Sequence, residues 1–131
     1  MLDHIGFSVK DIKKATAFYK KALAPLDIAV IMKVTPRQTG DGSAHVGFGT
    51  PGRPFFWIGS SPKRKGSGRS HVAFLAPNRK TVDAFHKAAL KAGGKDNGAP
   101  GLRPHYHPTY YGAFVIDLDG NNVEAVCHKP A

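Results

Sequence analysis

The sequence predicts an α+β fold made of two βαβββ modules, with the sheets curled around a cleft. Three observations predict it. Sliding the chain so that His4 falls on His71 also brings Phe7 onto Phe74, Lys13 onto Lys80, Ala17 onto Ala84, Phe18 onto Phe85, Lys20 onto Lys87, Ala22 onto Ala89 and Leu23 onto Leu90. Each copy opens with a short alternating stretch followed by an apolar stripe at helical spacing, the switch from period 2 to period 3.6 that marks a strand feeding a helix. Each copy then continues into short β-rich runs separated by Gly, Pro and Asp.

Residues 2–9 (LDHIGFSV) alternate as a strand, with Ile5, Phe7 and Val9 on one face and His4, Gly6 and Ser8 on the other. Asp11 is a suitable N-cap for a helix reaching Leu23, whose apolar stripe runs through Ile12, Ala15, Phe18, Tyr19, Ala22 and Leu23. Ala24-Pro25 ends it, because the residue before a proline is pushed out of the helical region. Residues 27–34 read as a second strand, 36–43 as a loop, 44–49 as a third strand and 55–59 as a fourth. The composition of 60–69 (SSPKRKGSGR) is that of an exposed linker.

The second copy repeats the order. A strand at 70–76 places Val72 and Phe74 toward the helix layer and His71 away from it. Asn78 caps a helix to about Ala92, and Gly93-Gly94 stops it. The stretch 95–109, rich in Gly and Pro, reads as irregular where the first copy has a clean strand. Residues 110–117 form a strand, Asp119-Gly120 a hairpin turn, and 122–128 the last strand, with Glu124 facing away from Val123 and Ala125. One domain, 1–131, is expected, with module one at about 1–60, a linker at 60–69 and module two at about 70–131.

Composition narrows the function classes. The 131 residues carry 19 Lys and Arg against 9 Asp and Glu, a formal charge of +10. Such a balance suits an anionic small molecule. Nucleic acid is disfavoured, because the lysines are scattered and not interleaved with aromatics along one stripe. No apolar run approaches the ~20 residues needed to cross a bilayer, and no basic-then-apolar leader opens the chain, so a cytoplasmic location is expected. The single cysteine, Cys127, excludes an intrachain disulfide framework and sits in an apolar run as a small buried residue would.

Two histidines and a glutamate, each strand-borne and each turned from the helices, carry the chemistry. His4, His71 and Glu124 form a donor set for a divalent metal, with zinc, nickel, manganese, cobalt and iron(II) all compatible by ligand type. Three protein ligands leave positions for substrate oxygens, the catalytic pattern. The irregular stretch supplies Arg103, a partner for a substrate carboxylate or phosphate or else plain surface. It also supplies His105 and His107, which are either exposed loop residues or acid/base groups. Tyr110 and Tyr111 alternate faces, and Tyr110 is the one expected to look into the cleft. Trp57, Phe55 and Phe114 offer an apolar floor or a stacking surface for an aromatic ligand.

The His4-x-x-Phe and His71-x-x-Phe strands, the βαβββ repeat and the hairpin Asp117-Leu-Asp-Gly-Asn-Asn-Val-Glu124 together resemble the vicinal oxygen chelate superfamily. That superfamily includes glyoxalase I, bleomycin-resistance proteins, fosfomycin-resistance thiol transferases and extradiol dioxygenases. The resemblance implies a curled eight-stranded sheet, a homodimer that often completes the cleft by exchanging modules, and a metal on His4, His71 and Glu124 that chelates two neighbouring substrate oxygens. The fourth ligand position of the family falls on Trp57, which cannot ligate. Glyoxalase I enzymes usually have a carboxylate there, so the resemblance points away from lactoylglutathione lyase proper and toward a related lyase, isomerase or thiol transferase. The short chain argues against a dioxygenase. The other branch implied is a metal-free protein of the bleomycin-resistance type that sequesters a drug or aromatic ligand.

Overall fold

In a computed structural model that describes residues 1–64 and 68–131, alternation in LDHIGFSV condenses into strand β1 (Ile5–Ser8). Helix α1 (Ile12–Leu23) follows, its first turn closed by Asp11, whose carboxylate accepts from the Lys14 amide at 3.0 Å. A single 3-10 turn over Ala24–Leu26 leads into β2 (Ala29–Val34). The expected loop after it contains a short helix, α2 (Pro36–Thr39). Its cause lies in the sequence: Thr35 and Gln38 cap each other's backbone N–H groups in a capping box, with Pro36 at the first helical position. Strands β3 (Ala44–Thr50) and β4 (Arg53–Ser60) complete the first module.

The second module runs β5 (His71–Leu75), α3 (Arg79–Lys91), β6 (Lys95–Leu102), β7 (Tyr111–Ile116) and β8 (Asn122–Cys127). Asn78 caps α3 through the Thr81 amide at 2.8 Å. The expectation of irregular backbone over 95–109 is corrected by β6 for residues 95–102, while the segment from 103 to 109 is irregular as expected. Its Gly- and Pro-rich sequence still pairs with β7, but the register slips between Asp96 and Gly98 and again between Gly98 and Gly101. Bulges absorb the residues that fit a strand badly. Of the linker expected at 60–69, residues 65–67 lie outside the described residues.

The strands form two mixed sheets of four, ordered β1-β4-β3-β2 and β5-β8-β7-β6. In each, the first and last strands of the module run parallel and the rest antiparallel. The sheets do not close into the single curled sheet of eight expected from the sequence. β1 and β5 are each one of the two edge strands of their sheet, and they border one groove of about 490 Å³ lined by Leu2, His4, Phe55, Ala73 and Leu75.

The modules are joined on the helix side. The cores of both modules merge into one buried cluster, with Phe56 fully buried and its ring centroid 5.3 Å from Phe7 and 5.3 Å from Phe74. Tyr19 crosses from α1 to the second module, donating its hydroxyl to Asp117. Asp117, itself buried, also accepts from the amides of Asp119 at 2.9 Å and Asn121 at 2.8 Å, which fixes the tight turn before β8. Cys127 is buried and free. Among the described residues, no helix is long and apolar enough to cross a membrane.

Candidate functional site

Strand parity decides what faces away from the helices. On β5 and β8, which pair in parallel with Ala73 opposite Glu124, the side chains of His71 and Glu124 lie diagonally across the ladder. His71 Nε2 is 2.9 Å from Glu124 Oε1, with the imidazole 53% exposed and the carboxylate 2% exposed. The other oxygen, Oε2, accepts from the Tyr110 hydroxyl. Burial first, and then the bond to Glu124, push the Tyr110 hydroxyl pKa well above the ordinary tyrosine range, so it stays a neutral donor. Gly112 leaves the room: a Cβ there would stand 3.1 Å from the Tyr110 ring and 3.4 Å from Glu124 Oε2.

Around this trio stand Phe114, with its centroid 6.4 Å from that of His71, and Arg103, with its guanidinium 5.4 Å from the Phe114 centroid. Arg103 donates to the backbone carbonyls of Gly101 at 2.9 Å and Ala99 at 2.8 Å, so its position is set by β6. His105 and His107 occupy the exposed turn between Arg103 and Tyr110. His105 lies against Tyr106, whereas His107 Nδ1 accepts from the Thr109 amide at 3.2 Å. Among the described residues neither imidazole is hydrogen-bonded to the side chain of His71, Glu124 or Tyr110, although the His107 carbonyl accepts from the Tyr110 amide at 3.0 Å. Tyr111 points the other way, its hydroxyl 2.6 Å from Asp83 on α3.

The first module presents a separate face. Trp57 is half-buried beside His45, Ser43 and Ser60 in a cleft of about 480 Å³. Phe55 lies in the groove between the edge strands with His4. His4 is exposed, and its Nδ1 is 2.7 Å from the Asp3 carboxylate. The structure therefore brings His71 and Glu124 together and leaves His4 apart: among the described residues, no group of three or more His, Cys, Asp or Glu is placed to hold a metal ion. Within one chain, the open arrangement of the two sheets sets His4 apart from the His71–Glu124 pair.

The cross-strand register shows why the repeat breaks at the fourth position. Trp57 pairs with Gly47, and its repeat equivalent Glu124 pairs with Phe114, the equivalent of Gly47. Large opposite small and small opposite large fill the same strip of sheet, so a tryptophan at 57 needs a glycine at 47. Sequence reading passed over His45, although the repeat relates it to Gly112 and its strand parity places it beside Trp57.

A family model described as the Glyoxalase/Bleomycin resistance protein/Dioxygenase superfamily matches residues 1–125. The fold is similar to that of a glyoxalase/bleomycin resistance protein from Albidiferax ferrireducens, at 23% identity and TM-score 0.76, covering 99% of both chains. It is also similar to a glyoxylase/bleomycin resistance protein/dioxygenase domain from Frankia sp., at 16% identity and TM-score 0.72, covering 98% of both. Glyoxalase I from Zea mays aligns at 18% identity and TM-score 0.71 over 95% of this chain, which spans only 43% of that one. No curated protein matches the sequence. With the paired βαβββ modules on the page and the match running over nearly the whole length, the chain belongs to the Glyoxalase/Bleomycin resistance protein/Dioxygenase superfamily.

Proposed function

We propose that this chain is a metal-dependent enzyme acting on a small molecule with two neighbouring oxygens, its site built by two copies of the chain. The observation that supports this most is the His71–Glu124 pair on adjacent strands. An imidazole nitrogen and a carboxylate oxygen 2.9 Å apart suit two ligands of one divalent ion, with metal–ligand legs of about 2.0–2.2 Å. His4 of a second copy would supply the third ligand. Its Nδ1 is already oriented by Asp3, the arrangement that presents Nε2 to a metal. The groove between the edge strands carries exposed Leu2, Ile5 and Leu75, apolar surface of the kind a second subunit covers.

When bound, the ion would act as a Lewis acid toward adjacent substrate oxygens. The chain's own residues would do the rest. His71 and Glu124 hold fixed positions on their ladder, and Tyr110, as a neutral donor, orients Glu124. Phe114 and Arg103 wall the site, and His105 and His107, on the same turn as Tyr110, are the candidates for moving protons. A lyase, isomerase or thiol-transferase reaction fits this set, as does a location in the cytoplasm. Protein purified without chelator is expected to carry about one divalent ion per chain, and His71→Ala and Glu124→Gln to lose it. Hemithioacetal isomerisation and thiol-addition assays then separate the reaction classes. Protein that stays metal-free after exposure to zinc, nickel, manganese, cobalt and iron(II) overturns the proposal.

One observation favours a second reading, metal-free sequestration of a ligand. Trp57, whose side chain cannot ligate a metal, stands at the position that the repeat makes equivalent to Glu124.

A further inference from the structure

We infer that the outer face of the first module is a subsite for a planar aromatic ring bearing a carboxylate or phosphate. The argument begins with glycines. Gly6 on β1, Gly47 on β3 and Gly59 on β4 bare the face of the sheet turned from the helices. Two rings fill the bared strip. The Trp57 indole lies against Gly47, where a Cβ would come within 2.9 Å of Cζ2 and Cη2. The His45 imidazole lies against Gly59, where a Cβ would come within 2.5 Å of Nδ1. Real Cβ atoms do not approach so closely, so both rings lie on bare backbone. Each is half-buried, covered on the sheet side and accessible from the cleft. A flat π surface favours a flat ligand.

Charge names the ligand's other end. Lys63 and Arg64 line the same cleft, and neither is ion-paired with a carboxylate among the described residues. The acidic residue in the cleft, Asp41, is occupied. Its Oδ1 accepts from the Ser43 hydroxyl at 2.5 Å and the Ser43 amide at 2.9 Å. The Ser43 hydroxyl, ahead of its amide, holds the Asp41 pKa down to about 2. Asp41 therefore stays ionised, and Lys63 and Arg64 against that one carboxylate leave the cleft with a net positive charge, as in the chain as a whole. A cleft of about 480 Å³ is of the size that receives small organic molecules. The inference rests on reading this face as part of the substrate site, but it requires no metal.

Trp57 is the only tryptophan, so indole emission reports this face alone. The experiment titrates wild-type protein, in chelator, with benzoate, phenyl phosphate, cyclohexanecarboxylate and benzyl alcohol. Benzoate or phenyl phosphate is expected to give a saturable change in emission at a concentration about tenfold below that needed for the non-planar acid or the uncharged alcohol. The double substitution Lys63→Gln with Arg64→Gln should weaken aromatic-anion binding about tenfold or more while leaving the melting temperature unchanged. Gly47→Ala, which lifts the indole from its floor, should weaken it as well. No saturable response, equal response to all four probes, or binding indifferent to the double substitution overturns the inference. Protein that loads a metal yet ignores both aromatic anions refutes the subsite alone. Protein that binds them in chelator yet never loads a metal refutes the metal proposal alone.

Discussion

Tyr110→Phe tests whether Glu124 is held from two sides. Glu124 is 1% exposed, and its two oxygens are taken by His71 Nε2 and the Tyr110 hydroxyl. The substitution removes only the hydroxyl. The ring stays in place against Tyr106 and His128, whose centroids lie 5.1 and 5.2 Å away. Glu124 Oε2 is then buried without that partner. A hydrogen bond to a charged group contributes about 1.5–3 kcal/mol. For a chain of this length each kcal/mol moves the melting temperature by about 3–5 °C, so a fall of roughly 5–15 °C is expected in chelator at neutral pH. The pH dependence carries a sign. Because the hydroxyl pKa is raised in the folded protein, its stabilisation is complete below the unfolded tyrosine value of about 10 and is lost as pH rises above it. The gap between wild type and variant should therefore narrow in alkali. A variant that melts within about 1 °C of wild type at neutral pH, with no change in alkaline slope, refutes the reasoning.

Other consequences follow from the core and the turn. Phe56→Ala removes the ring that bridges Phe7 and Phe74. It should cost about 3–5 kcal/mol, and calorimetry should resolve separate transitions for the two modules. Asp117→Asn turns one acceptor into a donor against the Tyr19 hydroxyl or the turn amides. It should cost about 1–3 kcal/mol by urea denaturation. Metal removal should leave the far-UV circular dichroism unchanged, because the buried cluster that unites the modules lies on the helix side, away from the candidate ligands.

The fold was legible because helix and strand obey different periods. The stripe Ala15, Phe18, Tyr19, Ala22, Leu23 is buried along α1 as its spacing requires, and Asn78 caps α3 as its position before the second stripe suggests. Element edges were harder to read. Gly98, Pro100 and Gly101 disguise β6 because tertiary pairing with β7 overrides their low strand propensity. α2 was overlooked although Thr35-Pro-Arg-Gln38 spells a capping box.

For the candidate site, strand parity makes the juxtaposition of His71 with Glu124 readable, since both elements belong to one module. It cannot place His4. A repeat shift relates equivalent positions but says nothing of how the two sheets are set against each other. That setting depends on aromatic packing at Phe56 and Phe74, and the edge strands meet across a groove with no closed cleft between the sheets. The ring-bearing face was also hidden. Gly6, Gly47 and Gly59 are far apart in sequence, and only the β1-β4-β3 order makes them one strip.

The most direct test of a site shared between copies mixes two defective variants. His4→Ala and His71→Ala should each bind no metal alone, while the two co-refolded should recover about one quarter of wild-type metal content. Random dimers are half heterodimers, and each of these restores one intact site of two. Recovery near that level in the mixture, and near one half in the fraction that copurifies through two different tags, is the predicted result. Heterodimers that form but hold no metal, or His4→Ala protein that keeps its full complement, would contradict the account.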